Sequence, residues 1–312
     1  MTVPVVDPEI QSLLDTADTG IFPVHGLAAV LADPQRYALL RALPDTPVDG
    51  RVTVRDLHIP GPAGQLRLRV YRPRTTEDLP VILYVHGGAF TYGSPESEEA
   101  RSLRYARDIH AVVVSVDYRL APEHPFPAAA DDAYAALTWI AGNPAELGAD
   151  PARIAVAGGS AGGNIAASTA LRARDQGGPH LLFQSLTYPG LDGSLTSASA
   201  QELTDTPVLN RGALELAVRH YAQDSHTDPY AFPLHATDLG GLPPAYIAVA
   251  EIDPLRDEGR AYAARLSAAG VTTELVQVPG AVHGFDLLFP HARISEHNLT
   301  DQTRALRRAL HP

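Results

Sequence analysis

Cysteine is absent from the 312 residues. Disulfides, thiol nucleophiles and zinc–thiolate sites are therefore excluded. Lysine is absent as well, since all 24 basic residues are arginine. Its absence removes Schiff-base chemistry, Ser-Lys dyads, P-loop phosphate binding and pyridoxal cofactors together. No run of 18 apolar residues occurs, so nothing in the sequence is expected to insert stably in a bilayer. The start, Met1-Thr-Val-Pro-Val-Val-Asp7, lacks the basic-then-apolar pattern of a signal peptide. Positive charge is also scarce: the formal net charge of −12 argues against nucleic acid or an anionic membrane as a partner. The 13 histidines include no H-E-x-x-H or similar spacing, so no metal site is expected. A soluble, cytoplasmic protein is the expectation, with one large core or two modest ones.

What the chain does contain is a series of short apolar runs. Val81 to Val85, Val112 to Val116, Ile154 to Ala157, Leu181 to Leu186, Ala245 to Ala250 and Thr273 to Val278 read as strands buried on both faces. Helical stretches separate most of them, among them Ala128 to Ile140 and Leu255 to Ala269, the latter stopped by Gly270. The alternation predicts an α/β protein with a mostly parallel sheet flanked by helices. Val52 to Leu57 and Leu66 to Tyr71, around Pro60-Gly61-Pro62-Ala63-Gly64, read as an antiparallel hairpin that makes the sheet mixed. Two segments fall outside the pattern. Residues 1–45 are helical in flavour, with Ile10, Leu13, Leu14, Leu27, Val30 and Leu31 at helical spacing, punctuated by Pro23, Pro34 and Pro44. Residues 190–226 form a long insertion with a helical stretch from Asn210 to Tyr221. Insertions of this length usually cover the strand ends. The expected division is therefore a cap of residues 1–45 and 190–226 over a core of 46–189 and 227–312.

The chain turns on Arg153-Ile-Ala-Val-Ala-Gly-Gly-Ser-Ala-Gly-Gly-Asn164. A buried strand runs into a glycine-flanked serine and straight on into helical sequence. Gly158, Ser160 and Gly162 fill the G-x-S-x-G nucleophile elbow. Ala157-x-Gly159-x-x-Gly162 is a near miss to the dinucleotide fingerprint, but that motif needs a strand ending in an acid roughly 20 residues on. Asp175 falls at a helix end instead. A chemically silent βα turn is the commoner meaning of an isolated G-x-S-x-G, so the rest of the chain decides.

Three further strand ends carry matching pieces. His86-Gly87-Gly88-Ala89-Phe90 follows the Val81–Val85 strand. The N–H groups of Gly87 and Gly88, with that of Ala161 after the serine, are expected to form an oxyanion hole. Asp253 lies in the loop after the Ala245–Ala250 strand, and Glu251 is the second choice. Asp257 and Glu258 read as helix first-turn charges. His283 follows the Thr273–Val278 strand. The order Ser160, Asp253, His283, each after a separate strand, is that of α/β-hydrolases. Asp117-Tyr-Arg-Leu-Ala-Pro-Glu-His-Pro-Phe-Pro127 packs Pro122, Pro125 and Pro127 close together after another strand. It predicts an ordered bend bracing the His86–Phe90 loop, with a cis peptide at Ala121-Pro122 or Phe126-Pro127.

These stretches, with Leu242-Pro-Pro-Ala245 and Asp253-Pro-Leu-Arg-Asp-Glu258, resemble the bacterial hormone-sensitive-lipase-like esterases of the α/β-hydrolase superfamily. The resemblance covers Val52 to Phe285. It implies a helical cap over an acyl pocket, hydrolysis of short to medium acyl esters without a cofactor, a small-molecule ester as partner, and often a homodimer. Two positions depart from the pattern: Gly159 stands where an acid or threonine is usual, and Ala89 stands for a third glycine. The missing side chain at 159 removes a hydrogen-bonding strut beside the oxyanion loop. Lactones, carbamates and amides stay open as substrates, because fold and triad do not set the leaving group. A non-catalytic ligand receptor on this fold would be expected to lack a triad member.

Overall fold

The computed structural model describes residues 5–16 and 50–312. Of the first expected cap segment it describes the helix α1 (Pro8–Thr16). Leu27, Val30, Leu31, Pro23, Pro34 and Pro44 lie outside the described residues. The strands are β1 (Val52–Gly61), β2 (Gly64–Pro73), β3 (Leu79–Val85), β4 (Val112–Val116), β5 (Ala149–Gly159), β6 (Phe183–Thr187), β7 (Ala245–Ile252) and β8 (Thr273–Val282). The helices after α1 are α2 (Glu99–Tyr105), α3 (Ala128–Gly142), α4 (Pro144–Leu147), α5 (Ala161–Asp175), α6 (Ala198–Glu202), α7 (Arg211–Ala222), α8 (Arg256–Ala268), α9 (Phe285–Leu288) and α10 (Arg293–Leu310). All eight strands form one sheet in the order β1-β2-β4-β3-β5-β6-β7-β8. Pairing is parallel from β4 through β3 to β8, while β2 is antiparallel to both β1 and β4.

The apolar runs lack alternation because both faces of the sheet are covered. Val81, Leu83 and Val85 of β3 pack with Ala133 and Leu137 of α3, Ile165 of α5 and Leu266 of α8. Their neighbours Ile82 and Tyr84 point the other way, into a core with Leu103 of α2 and Leu306 and Leu310 of α10. Side chains two apart share a face of a strand, so one run of residues feeds two cores. A third cluster at one end of the sheet joins Ile10 and Leu14 of α1 to Tyr188, Val282, Phe285 and Ile294.

Several strands run longer than the sequence predicts, β5 most of all, from Ala149 to Gly159. In the hairpin Gly61 pairs with Gly64, which leaves only Pro62 and Ala63 to turn. β8 continues past Val278 through Pro279 and Gly280 to Val282. Both β1 and β8 are edge strands, and an edge can spare the N–H that proline lacks. In the 190–226 insertion, α7 starts where Asn210 Oδ1 accepts the Ala213 N–H at 2.9 Å, an N-cap. Among the described residues no helix is long and apolar enough to cross a membrane.

The chain leaves β3 for β4 on one side and then crosses back to β5 on the other. In open α/β sheets the crevice outside the strand ends at such a reversal is where ligands bind.

Candidate active site

β5 delivers Ser160 at this reversal and α5 leaves it at once. Ser160 has φ 56° and ψ −123°. A non-glycine residue held in such a sparsely populated region costs on the order of 1–3 kcal/mol. The flanking glycines are a packing requirement. A Cβ on Gly158 would collide with the Gly162 carbonyl, and one on Gly162 with the Val85 and His86 carbonyls at the end of β3. Gly159 is different, since a Cβ there would meet the Tyr188 ring at an ordinary 3.4 Å. The Ser160 N–H donates to the Thr187 carbonyl at 2.9 Å, which fixes the turn to β6.

His283 follows β8 directly, ahead of Gly284 with φ 68°. Its Nε2 lies 2.8 Å from Ser160 Oγ and its Nδ1 lies 2.7 Å from Asp253 Oδ2. Asp253 is fully buried, and its second oxygen accepts the Leu255 N–H at 2.9 Å. Glu251, two residues earlier, turns elsewhere and accepts the Gly280 N–H at 2.7 Å. Asp257 and Glu258 lie in the first turn of α8, as expected, but they do more than face its dipole. Asp257 accepts the Ser199 N–H at 2.9 Å, and buried Glu258 accepts the Leu191 N–H at 3.1 Å. Both tie the insertion to α8, and burial pushes the Glu258 carboxyl well above the usual carboxylate range.

The loop after β3 is strained in sequence: Gly88, Ala89 and Phe90 have φ of 121°, 50° and 61°. Its brace lies behind it. Tyr118 stacks on the His86 ring at 4.2 Å, and the Tyr118 hydroxyl donates to the His86 carbonyl at 3.0 Å. Burial holds the His86 imidazole below its ordinary pKa. The Ala121 N–H donates to the Phe90 carbonyl at 2.9 Å, and both Ala121-Pro122 and Phe126-Pro127 are cis. The Asp117–Pro127 segment is thus an ordered bend against the loop. One expected donor is otherwise engaged: the Gly87 N–H donates to Glu98 Oε1 at 2.7 Å. The N–H groups of Gly88, Ala89 and Ala161 have no partner among the described residues.

A cavity of about 250 Å³ opens over Ser160 and His283, walled by Tyr188, Val208, Leu209, Leu287 and Leu288. Val208 and Leu209 come from the insertion. Tyr188 and Glu98 escape the sequence analysis, and Ala89 enters it only as the residue in place of a third glycine. Tyr188 had a signal, because it follows β6 on the same sheet edge as the other loops. Glu98 had none, since it reaches Gly87 across a fold that spacing does not reveal. No cluster of three or more histidine, aspartate or glutamate residues is placed to hold a metal ion among the described residues.

A family described as an alpha/beta hydrolase fold matches residues 82–287. Esterase LipI of Mycobacterium tuberculosis is 46% identical over 288 residues, covering 90% of this chain and 88% of its own. Carboxylesterase NlhH of the same organism is 43% identical over 99% of this chain and 97% of its own. Among solved structures, a bacterial heroin esterase superposes with TM-score 0.91 at 39% identity, covering 99% of both chains. A thermostable esterase from Pseudomonas putida superposes with TM-score 0.91 at 33% identity, covering 100% of both. The chain belongs to the α/β-hydrolase family, and within it to the hormone-sensitive-lipase-like esterases.

Proposed function

We propose that this chain hydrolyses carboxylic esters of short to medium acyl length through a Ser160-His283-Asp253 triad and a covalent acyl-enzyme. The observation that carries the reading is the run of contacts from Ser160 Oγ to His283 Nε2 at 2.8 Å and from His283 Nδ1 to Asp253 Oδ2 at 2.7 Å, beneath an apolar-walled cavity. Relatives named esterase and carboxylesterase at 46% and 43% identity support it.

Buried Asp253 accepts the Nδ1–H of His283, which leaves Nε2 free to accept the Ser160 proton. Ser160 Oγ attacks the ester carbonyl as that proton passes to Nε2. The carbonyl oxygen becomes an oxyanion facing the N–H groups of Gly88, Ala89 and Ala161, which need no reorganisation to receive it. Gly87 leaves this set because its N–H is spent on Glu98. The imidazolium then gives its proton to the departing alkoxide, and an alcohol leaves. Water attacks the acyl-enzyme by the same route, its proton going to His283 and then to Ser160 Oγ as the acid is released. On the same reading, residues 190–226 cap a core of residues 46–189 and 227–312; most of the other expected cap segment, residues 1–45, lies outside the described residues. The same reading carries a cytoplasmic location, no cofactor, and a homodimer that the mass in solution would check.

Ser160→Ala is expected to lower kcat by about 10³-fold or more with the fold intact. Wild type should take up one equivalent of an organophosphate on Ser160, read by mass spectrometry. A clean Ser160→Ala preparation retaining a tenth of wild-type turnover overturns the assignment.

A further inference from the structure

Beside the cavity lies a buried charged group that the steps above do not use. Glu98 ends the 3₁₀ turn Pro95–Glu98 just after the oxyanion loop and is 3% exposed. One carboxylate oxygen accepts the Gly87 N–H at 2.7 Å. The other accepts the Tyr84 hydroxyl and lies 3.2 Å from Arg101 Nε. Arg101 Nη2 in turn reaches Asp286 Oδ1 at 3.1 Å. Asp286 accepts the Tyr188 hydroxyl at 2.6 Å, and the Tyr188 ring packs on that of His283 at 4.8 Å. A continuous line of contacts thus runs from the loop after β3, through Glu98, Arg101 and Asp286, to the neighbour of His283.

Burying three charges is costly and does not by itself favour the folded state over an apolar filling. Its value here is geometric. The Gly87 N–H belongs to the peptide that fixes the direction of the next two, so holding it aims the Gly88 and Ala89 N–H groups. An unbalanced carboxylate so near a developing oxyanion would oppose the charge, and Arg101 supplies the balance. We infer that Glu98, charge-balanced by Arg101, is the positioning residue for the oxyanion loop, and that Arg101 links that loop to the histidine side through Asp286. The inference rests on the esterase reading above.

The test is Glu98→Gln and Glu98→Asp, with active sites counted by organophosphate titration. Glu98→Asp keeps the charge that Arg101 needs but withdraws the oxygen from Gly87. Removing one oxyanion donor costs about 10²–10³ in kcat. Misaiming donors that remain should cost less, roughly 10–100-fold, with KM changed less than about threefold. Affinity for a trifluoromethyl ketone, which forms an oxyanion on Ser160, should fall by the same factor, while affinity for the product acid should hold. If folded Glu98→Asp keeps kcat within about twofold of wild type, the inference fails whatever Glu98→Gln does. It fails equally if ketone and product affinities drop together, the mark of a collapsed pocket. Wild type that hydrolyses no ester would instead sink the esterase reading.

Discussion

Asp253 and Glu251 leave the same strand two residues apart, and the fold sends them to different partners. Asp253 faces His283 Nδ1, whereas Glu251 accepts the Gly280 N–H within β8. Asp253→Asn should therefore lower kcat by about 10⁴-fold, because the amide donates where the imidazole must donate and imposes the wrong tautomer. Glu251→Gln keeps an acceptor for Gly280 and should change kcat less than about tenfold. Steady-state kinetics on one ester decide, and the reverse ranking would move the third member of the proposed triad to Glu251. Ser160, Asp253 and His283 were legible because each sits at a strand end that apolar runs and glycines mark locally. Gly87 was misjudged as a free donor because its partner lies 11 positions away on a turn with no sequence signature.

At the scale of elements, the turn and helix after the His86–Phe90 loop are fastened to β2. Arg67 on β2 grips Glu96 with two contacts, at 2.6 Å and 3.0 Å, and Arg69 reaches buried Glu99 at 2.9 Å. Hydrogen bonds from Arg67, opposed by burial, hold the Glu96 carboxyl down at about 2 from an ordinary 4.5. A depressed carboxyl stabilises the fold fully above its unfolded value and loses that contribution as pH falls through the folded one. Glu96→Gln should lower stability at pH 7 by about 1–2 kcal/mol after allowance for solvent screening, and the gap to wild type should close as pH drops from about 4.5 towards 2. Urea midpoints at neutral and acid pH would show it, and a gap independent of pH would refute it. In the sequence, Arg67 and Arg69 fall within the Leu66–Tyr71 arm of the expected hairpin. Their acidic partners come from 29 and 30 positions onward, a distance over which charge patterns carry no pairing information. The hairpin itself was legible in type but too short, since prolines mark loops until a strand is known to be an edge.

Across the molecule, the cavity is a composite. Leu209 arrives from the insertion between β6 and β7, while Leu287 and Leu288 follow His283. Leu209→Ala should enlarge the acyl site. A methylene in an apolar pocket is worth about 10–200-fold in kcat/KM, so the preference for octanoyl over acetyl esters should rise by about tenfold or more. A panel of ester lengths checks this, and an unchanged profile would remove Leu209 from the acyl wall. The doubly covered sheet was legible from its unalternated apolar runs, but the cavity was not, because its walls meet only in three dimensions. The separation of parts along the chain also bears on how the protein is made. Ser160 and His283 stand 123 positions apart. At a synthesis rate of about 5–20 residues per second, the serine waits roughly 6–25 s for its histidine to be translated. Over that interval β8 and α10, which complete the sheet edge and one of its two cores, do not yet exist. On the proposed mechanism, the nascent chain carries an ordinary alcohol past every ester in its surroundings, and hydrolysis would begin only when translation is nearly over.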